Sequence, residues 1–251
     1  MSLWAALAIL AAGLAAGTLN TIVGSGSLIT FPTLLALGYS PVVANVSNTV
    51  GLVPGSISGA VGYRRELEGQ QARLRILGVA SVAGGLTGGL LLLALPASVF
   101  RRVVPVLILV ASVLVALQPG LARRRAAGKG AVRPHGGPLL FASVFATGVY
   151  GGYFGAAQGV LLIALLGIFV DDTLQRLNAA KNVLAALVNG IAALLFIVVA
   201  DVAWAPAALL AVGATAGGQL GATLGRRIPP VWLRAVIVVV GVTVAVRLLL
   251  E

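Results

Sequence analysis

The 251 residues are 59% hydrophobic and only 9% charged, where a soluble domain carries about 25% charged residues, so a surface that mostly faces water is excluded. The net charge of +11 would suit a nucleic-acid partner on a soluble chain. Here the basic residues stand between apolar runs, where the positive-inside rule explains them, and nucleic acid is not an expected partner.

No charged residue precedes Arg64, and none occurs in 76–100, 134–170 or 202–225. A helix crossing the hydrocarbon needs about 20 apolar residues, so the first stretch alone holds more than two crossings. Its start lacks a basic n-region, which reads as a retained span rather than a secretory signal. The apolar segments are, in chain order, 3–22, 26–38, 41–63, 76–95, 103–118, 139–157, 159–170, 177–200, 206–224 and 235–250. Segments 26–38 and 159–170 are too short to cross alone. Each follows a longer segment after a break, Gly24-Ser25-Gly26 and Gly155-Ala156-Ala157, and each pair reads as one broken or re-entrant helix unit. Irregular backbone is not viable against lipid, so both breaks must face protein or a water-filled cavity. The predicted fold class is an all-α integral membrane protein, a polytopic helical bundle.

The stretch 119–137 carries Arg123, Arg124, Arg125, Lys129 and Arg133 among prolines and glycines. It reads as a basic cytoplasmic linker between a first membrane repeat, 1–118, and a second, 138–251. The loop 64–75, with Arg64, Arg65, Arg73 and Arg75, falls on the same side. The region from Asp201 to Pro206 has no basic residue and reads as outside, as do both termini; Arg226 and Arg227 return inside. Arg101 and Arg102 fall outside, against the rule. Trp4, Trp204 and Trp232 lie near segment ends, where interfacial aromatics belong.

The halves echo each other. Gly17 and Gly24 recur as Gly148 and Gly155, Ala44 to Asn48 aligns with Asn178 to Asn182, and Ala83 to Gly88 aligns with Ala216 to Gly221. With the first half's basic loop inside and its counterpart near Asp201 outside, this reads as an inverted-topology repeat, a plan of secondary transporters. Chance likeness between Gly/Ala-rich helices is the bland alternative.

Leu19 to Ser27, followed by Phe31-Pro32-Thr33-Leu34-Leu35 and Gly38, resembles the first signature of the TauE/SafE family. So does Ala44 to Asn48, followed by Pro54-Gly55-Ser56 and Gly59. Gly148 to Gly155 and Ala179-Ala180-Lys181-Asn182 resemble its second signature. Ser25 and Ser27 stand where that family more often has glycine. The resemblance implies a permease for sulfur-containing anions such as sulfite or organosulfonates, in the cell membrane.

The site expected from the residues lies between the two breaks. A helix N-terminus carries free N–H groups and partial positive charge, which bind anions without a cationic side chain. Gly24, Ser25, Gly26 and Ser27 precede one short segment; Gly155, Gln158 and Gly159 mark the other. Small residues also let helices approach closely, the plain packing explanation. Asn45, Asn48 and Thr49 share one helical face, and Asn178, Lys181 and Asn182 repeat the pattern. Buried polar side chains mark a pathway or bond neighbouring helices. Lys181 is either a direct anion contact or a snorkelling side chain one turn from its segment's start. Asp171 and Asp172 read as an N-terminal cap of that segment. No carboxylate lies deep in a span, and no metal-ligand cluster, phosphate-binding loop or catalytic carboxylate pair is present. The expected partners are a small anionic substrate and the lipid bilayer, with no cofactor, no metal and no enzymatic role. A passive anion channel or a non-transporting assembly partner is the rival reading.

Overall fold

A computed structural model describes residues 1–127 and 137–224, together with Ala235, Val238, Val239, Val242, Thr243, Ala245 and Val246. The rest of segment 235–250, residues 128–136 of the expected linker, and His135, Arg226, Arg227 and Trp232 lie outside the described residues.

Every described element is helical. In chain order they are α1 (Leu3–Ile22), α2 (Ser27–Ala36), α3 (Pro41–Gly62), a 3-10 turn (Arg64–Leu67), α4 (Gln71–Ala94), α5 (Ala97–Ala127), α6 (Gly137–Tyr153), α7 (Gln158–Phe169), α8 (Leu174–Val199) and α9 (Trp204–Leu224). The local causes are ordinary. Ser2 caps α1 by accepting from the Ala5 N–H at 3.2 Å, and Pro41 opens α3 where its missing N–H costs nothing. The cap of α8 is Thr173, whose Oγ1 accepts from the Arg176 N–H at 3.4 Å. The expected aspartate cap is corrected in position: Asp172, one residue earlier, accepts from the Thr173 N–H at 2.9 Å and also pairs with Arg73 and Arg176.

Helix α5 begins before Arg101 and continues past residue 118, where a linker was expected. Two arginines at its start cut the apolar run short in the sequence, and Leu121 to Ala127 consists of strong helix formers. Both Arg101 and Arg102 are exposed.

Five described helices are long and apolar enough to cross a membrane: α1, α4, residues 97–117 of α5, α8 and α9. Helix α3, at 22 residues, has the length but not the composition. Its Asn45, Ser47, Asn48, Thr49, Ser56 and Ser58 are buried instead, shielded by α8 and α9, against which α3 packs most heavily.

The packing pairs helices in a matched way. Helix α1 lies on α9, and α6 on α4; α3 lies on α9, and α8 on α4. Both tight pairs are made possible by glycine. A Cβ at Gly17 would collide with the Ala214 backbone, and one at Gly217 with that of Leu14. Likewise a Cβ at Gly88 would strike Val149, and one at Gly152 would strike Gly85. Without an apolar driving force between helices in lipid, such backbone-to-backbone packing is a main source of association.

The two ends of the bundle are each tied between halves. At one end Arg73 and Asp172 form an ion pair at 3.1 Å, and the Gln70 amide donates to the Arg176 carbonyl at 2.9 Å. At the other end the Ala203 N–H donates to Ser47 Oγ at 2.8 Å. Helix α3 therefore starts at the end where α8 finishes.

Candidate functional site

Both breaks are built by the same terminator. In α1 the N–H groups of Val23 and Gly24 both reach the Leu19 carbonyl, at 2.7 and 3.0 Å, and Gly24 has φ of +87°. In α6 the N–H groups of Phe154 and Gly155 both reach the Tyr150 carbonyl, at 2.9 and 3.1 Å, and Gly155 has φ of +77°. A left-handed residue just past the last turn ends a helix this way, and glycine adopts it without steric cost. Ala157, at φ +56°, adds a second left-handed residue to the later break.

The breaks meet. The Gly159 N–H donates to the Gly24 carbonyl at 3.1 Å. A Cβ on either glycine would overlap the other's Cα, so only glycine at both positions allows the approach. This contact joins the first turn of α7 to the end of α1.

Each break is held by a long helix of the other half. From α3, the Asn45 amide donates to the Tyr153 carbonyl, the last of α6, at 3.0 Å. From α8, Asn178 and Asn182 donate to the Thr21 carbonyl at 3.1 and 3.4 Å. The Lys181 ammonium donates to the carbonyls of Asn20 and Thr21 at 2.9 and 3.2 Å. A helix end leaves its last carbonyls without intrahelical donors, and these side chains supply them. The amides of Asn45, Asn178 and Asn182 thus each give one of their two N–H groups to backbone. Lys181 does not snorkel: it is 1% exposed and turned inward.

Asn48 tends the other short helix. Its amide donates to Ser27 Oγ at 3.2 Å and accepts from Thr30 Oγ1, fixing the first turn of α2. Ser25 and Gln158 are buried beside the breaks. Four buried polar atoms here have no hydrogen-bond partner among the described residues: Ser25 Oγ, Asn45 Oδ1, Gln158 Nε2 and Asn178 Oδ1. Ser81 Oγ on α4 is another, away from the breaks. Unpaired buried polar atoms are uncommon and costly. The N–H groups of Ser25, Gly26 and Ser27 also lack an acceptor among the described residues.

All twelve expected residues therefore lie at the breaks or bonded to them. A seam that the sequence reading did not single out runs beside them. The amides of Asn20 on α1 and Asn189 on α8 both donate to Ser56 Oγ on α3, at 3.3 and 3.4 Å. Asn189 stands seven residues after Asn182, on the helical face that Asn178 and Asn182 share, and that spacing was a signal. A further clue was that an amide in a span needs a partner.

Among the described residues no carboxylate pairs with Lys181, and Glu66, Glu68, Asp171, Asp172 and Asp201 all lie outside the α-helices. Among the described residues there is no cluster of potential metal ligands. Outside the spans, burial would raise the Asp172 carboxyl, but hydrogen bonds from Arg73 and the Thr173 N–H, with the Arg176 charge, outweigh it and hold it below the usual range.

The family model described as sulfite exporter TauE/SafE matches residues 9–248. The probable membrane transporter protein YfcA of Escherichia coli K12 is 28% identical over 239 residues, covering 94% of this chain and 86% of the relative. The probable membrane transporter protein ORF9 of a Sinorhizobium species is 26% identical, covering 94% and 89%. A probable membrane transporter protein of Haemophilus influenzae is 24% identical, covering 84% and 82%. No solved structure matches the chain.

Proposed function

The chain belongs to the sulfite exporter TauE/SafE family, and on that premise we propose that it is a secondary transporter for a small sulfur-containing oxyanion, sulfite or an organosulfonate, across the cytoplasmic membrane. The observation that carries this reading is the set of unpartnered buried polar atoms around two abutting helix breaks.

An oxyanion must shed water to cross, and its oxygens then need replacement donors. Ser25 Oγ, Gln158 Nε2 and the N–H groups of Ser25, Gly26 and Ser27 supply them. Lys181 supplies the charge, and its ammonium has three protons for two carbonyl partners. The unpartnered oxygens of Asn45 and Asn178 are acceptors and suit a substrate hydroxyl, as in hydrogen sulfite. Asn45, Asn48, Asn178 and Asn182 act as positioning residues that hold the breaks in shape. Shared terminators, matched packing pairs and opposed directions of α3 and α8 support the inverted-repeat reading. On it the stretches 64–75 and 119–137 are cytoplasmic.

The test is flux in proteoliposomes. Saturable sulfite uptake with counterflow is the expected result. Linear, non-saturating flux would make the protein a channel, and no flux of any sulfur oxyanion would sink the assignment.

A further inference from the structure

Outside the breaks, the described surface holds two apolar grooves on either side of one residue, Leu187 of α8. The first, about 360 Å³, is walled by Ile57 and Val61 of α3, Leu67, and Arg64. The second, about 470 Å³, is walled by Leu74 and Val79 of α4, Gly78, and Arg75. Leu187 borders both. The absent side chain at Gly78 opens the second groove: a Cβ there would stand 3.2 Å from Leu187 Cδ1.

Each groove carries an arginine from the 64–75 segment, and both arginines are exposed. Their neighbours Arg73 and Arg176 are engaged with Asp172. Arg64 and Arg75 make no ion pair among the described residues. The segment also carries Glu66 and Glu68, but neither lines a groove. Two apolar grooves side by side, each bordered by an arginine with no ion pair among the described residues, match the shape and charge of one molecule with two acyl chains and an anionic head.

We propose that this face is a binding site for a single anionic phospholipid, whose acyl chains lie astride Leu187 and whose phosphate is held by Arg64 and Arg75. Arginine recognises phosphate through its planar fork of donors, and basic pockets between membrane helices on the cytoplasmic side take lipid head groups. The site stands on the α3–α8 and α4–α8 seams, so a bound lipid would splint both halves of the bundle.

The test is native mass spectrometry and thermal unfolding of the full chain in detergent, with phosphatidylglycerol or phosphatidylethanolamine added as probes. The wild type is expected to retain one phosphatidylglycerol per chain and to unfold at higher temperature with it than with phosphatidylethanolamine. The double variant R64Q/R75Q should bind it about tenfold to thirtyfold more weakly, the scale of two juxtamembrane arginines. Leu187→Trp, which fills the grooves without changing charge, should also displace the lipid. The pair Arg101→Gln and Arg102→Gln, exposed elsewhere, should not. Equal retention of both lipids, or undiminished phosphatidylglycerol binding in R64Q/R75Q, would overturn the proposal. So would a dimer that Leu187→Trp dissociates, which would make the grooves an interface between copies of this chain.

Discussion

Lys181 is a basic side chain buried in α8, bonded to two carbonyls and paired with no carboxylate among the described residues. Insertion of such a charge costs about 2.5–3.5 kcal/mol at the bilayer centre, so it persists where something compensates it. Two carbonyls compensate part, and the proposed substrate anion compensates the rest. Lys181→Gln should keep one bond to the α1 carbonyls while losing the charge. It is expected to insert normally and to lose about 1–3 kcal/mol of anion binding, read by titration calorimetry, the scale of a lost charged hydrogen bond. Unchanged affinity would make Lys181 a helix cap only. Asn182→Ala tests the complementary role. Its bond to Thr21 is long, at 3.4 Å, so a fall in thermal midpoint should accompany any loss of affinity. Asp172 gives a prediction in pH. Its folded carboxyl is held below its unfolded value, so its contribution is complete above about pH 4, the ordinary aspartate range, and is lost as pH falls through the lower folded value. The thermal midpoint should drop on acidification over that window. Asp172→Asn should lower the neutral-pH midpoint and flatten the drop; an unaltered acid profile would show that other carboxylates set it.

Among the elements, the two broken units depend on glycine in two separable ways. Gly38 has φ of +89° and open space around the position of a Cβ. Gly159 has ordinary helical backbone, but a Cβ there would press on the Gly24 backbone and on Lys181 Cδ. Gly38→Ala is therefore expected to cost about 1–2 kcal/mol of backbone strain and to leave transport intact. Gly159→Ala should push the breaks apart, remove the bond to Gly24, and abolish saturable flux even in protein that remains inserted. Equal flux in the two variants would detach the breaks from the transport path. The positions of these breaks were legible in the sequence, because Gly24 and Gly155 interrupt apolar runs and the short segments after them cannot span. The two-asparagine faces were legible from spacing. What those faces bond was not: the acceptors are the backbone carbonyls of Asn20, Thr21 and Tyr153, and a carbonyl has no letter in the sequence. The ends of α5 were hidden for a different reason. Arg101 and Arg102 look like a loop in a hydropathy reading, yet exposed arginines at a helix end reach water while the backbone stays helical.

Across the whole molecule, both ends are tied between halves at once, by Arg73–Asp172 and Gln70–Arg176 at one and by Ala203–Ser47 at the other. A carrier that exposes one site alternately to two sides must open one tie while keeping the other, whereas a channel needs both open together. The chain has no cysteine, so a pair of cysteines can be placed at each tie and cross-linked without background. Ser47→Cys with Ala203→Cys would lock one end, and Gln70→Cys with Arg176→Cys the other. Each oxidised pair is expected to stop counterflow, with recovery on reduction. Each should still bind sulfite, because neither tie touches the breaks. The two locks should then differ in the side from which an impermeant thiol reagent reaches a third cysteine placed at Asn20, on the seam beside Lys181. Access from opposite sides in the two locked forms is the signature of alternation. Access from the same side in both, or persistent flux in either, would mean that these ties are fixed braces and that the moving boundary lies elsewhere in the bundle.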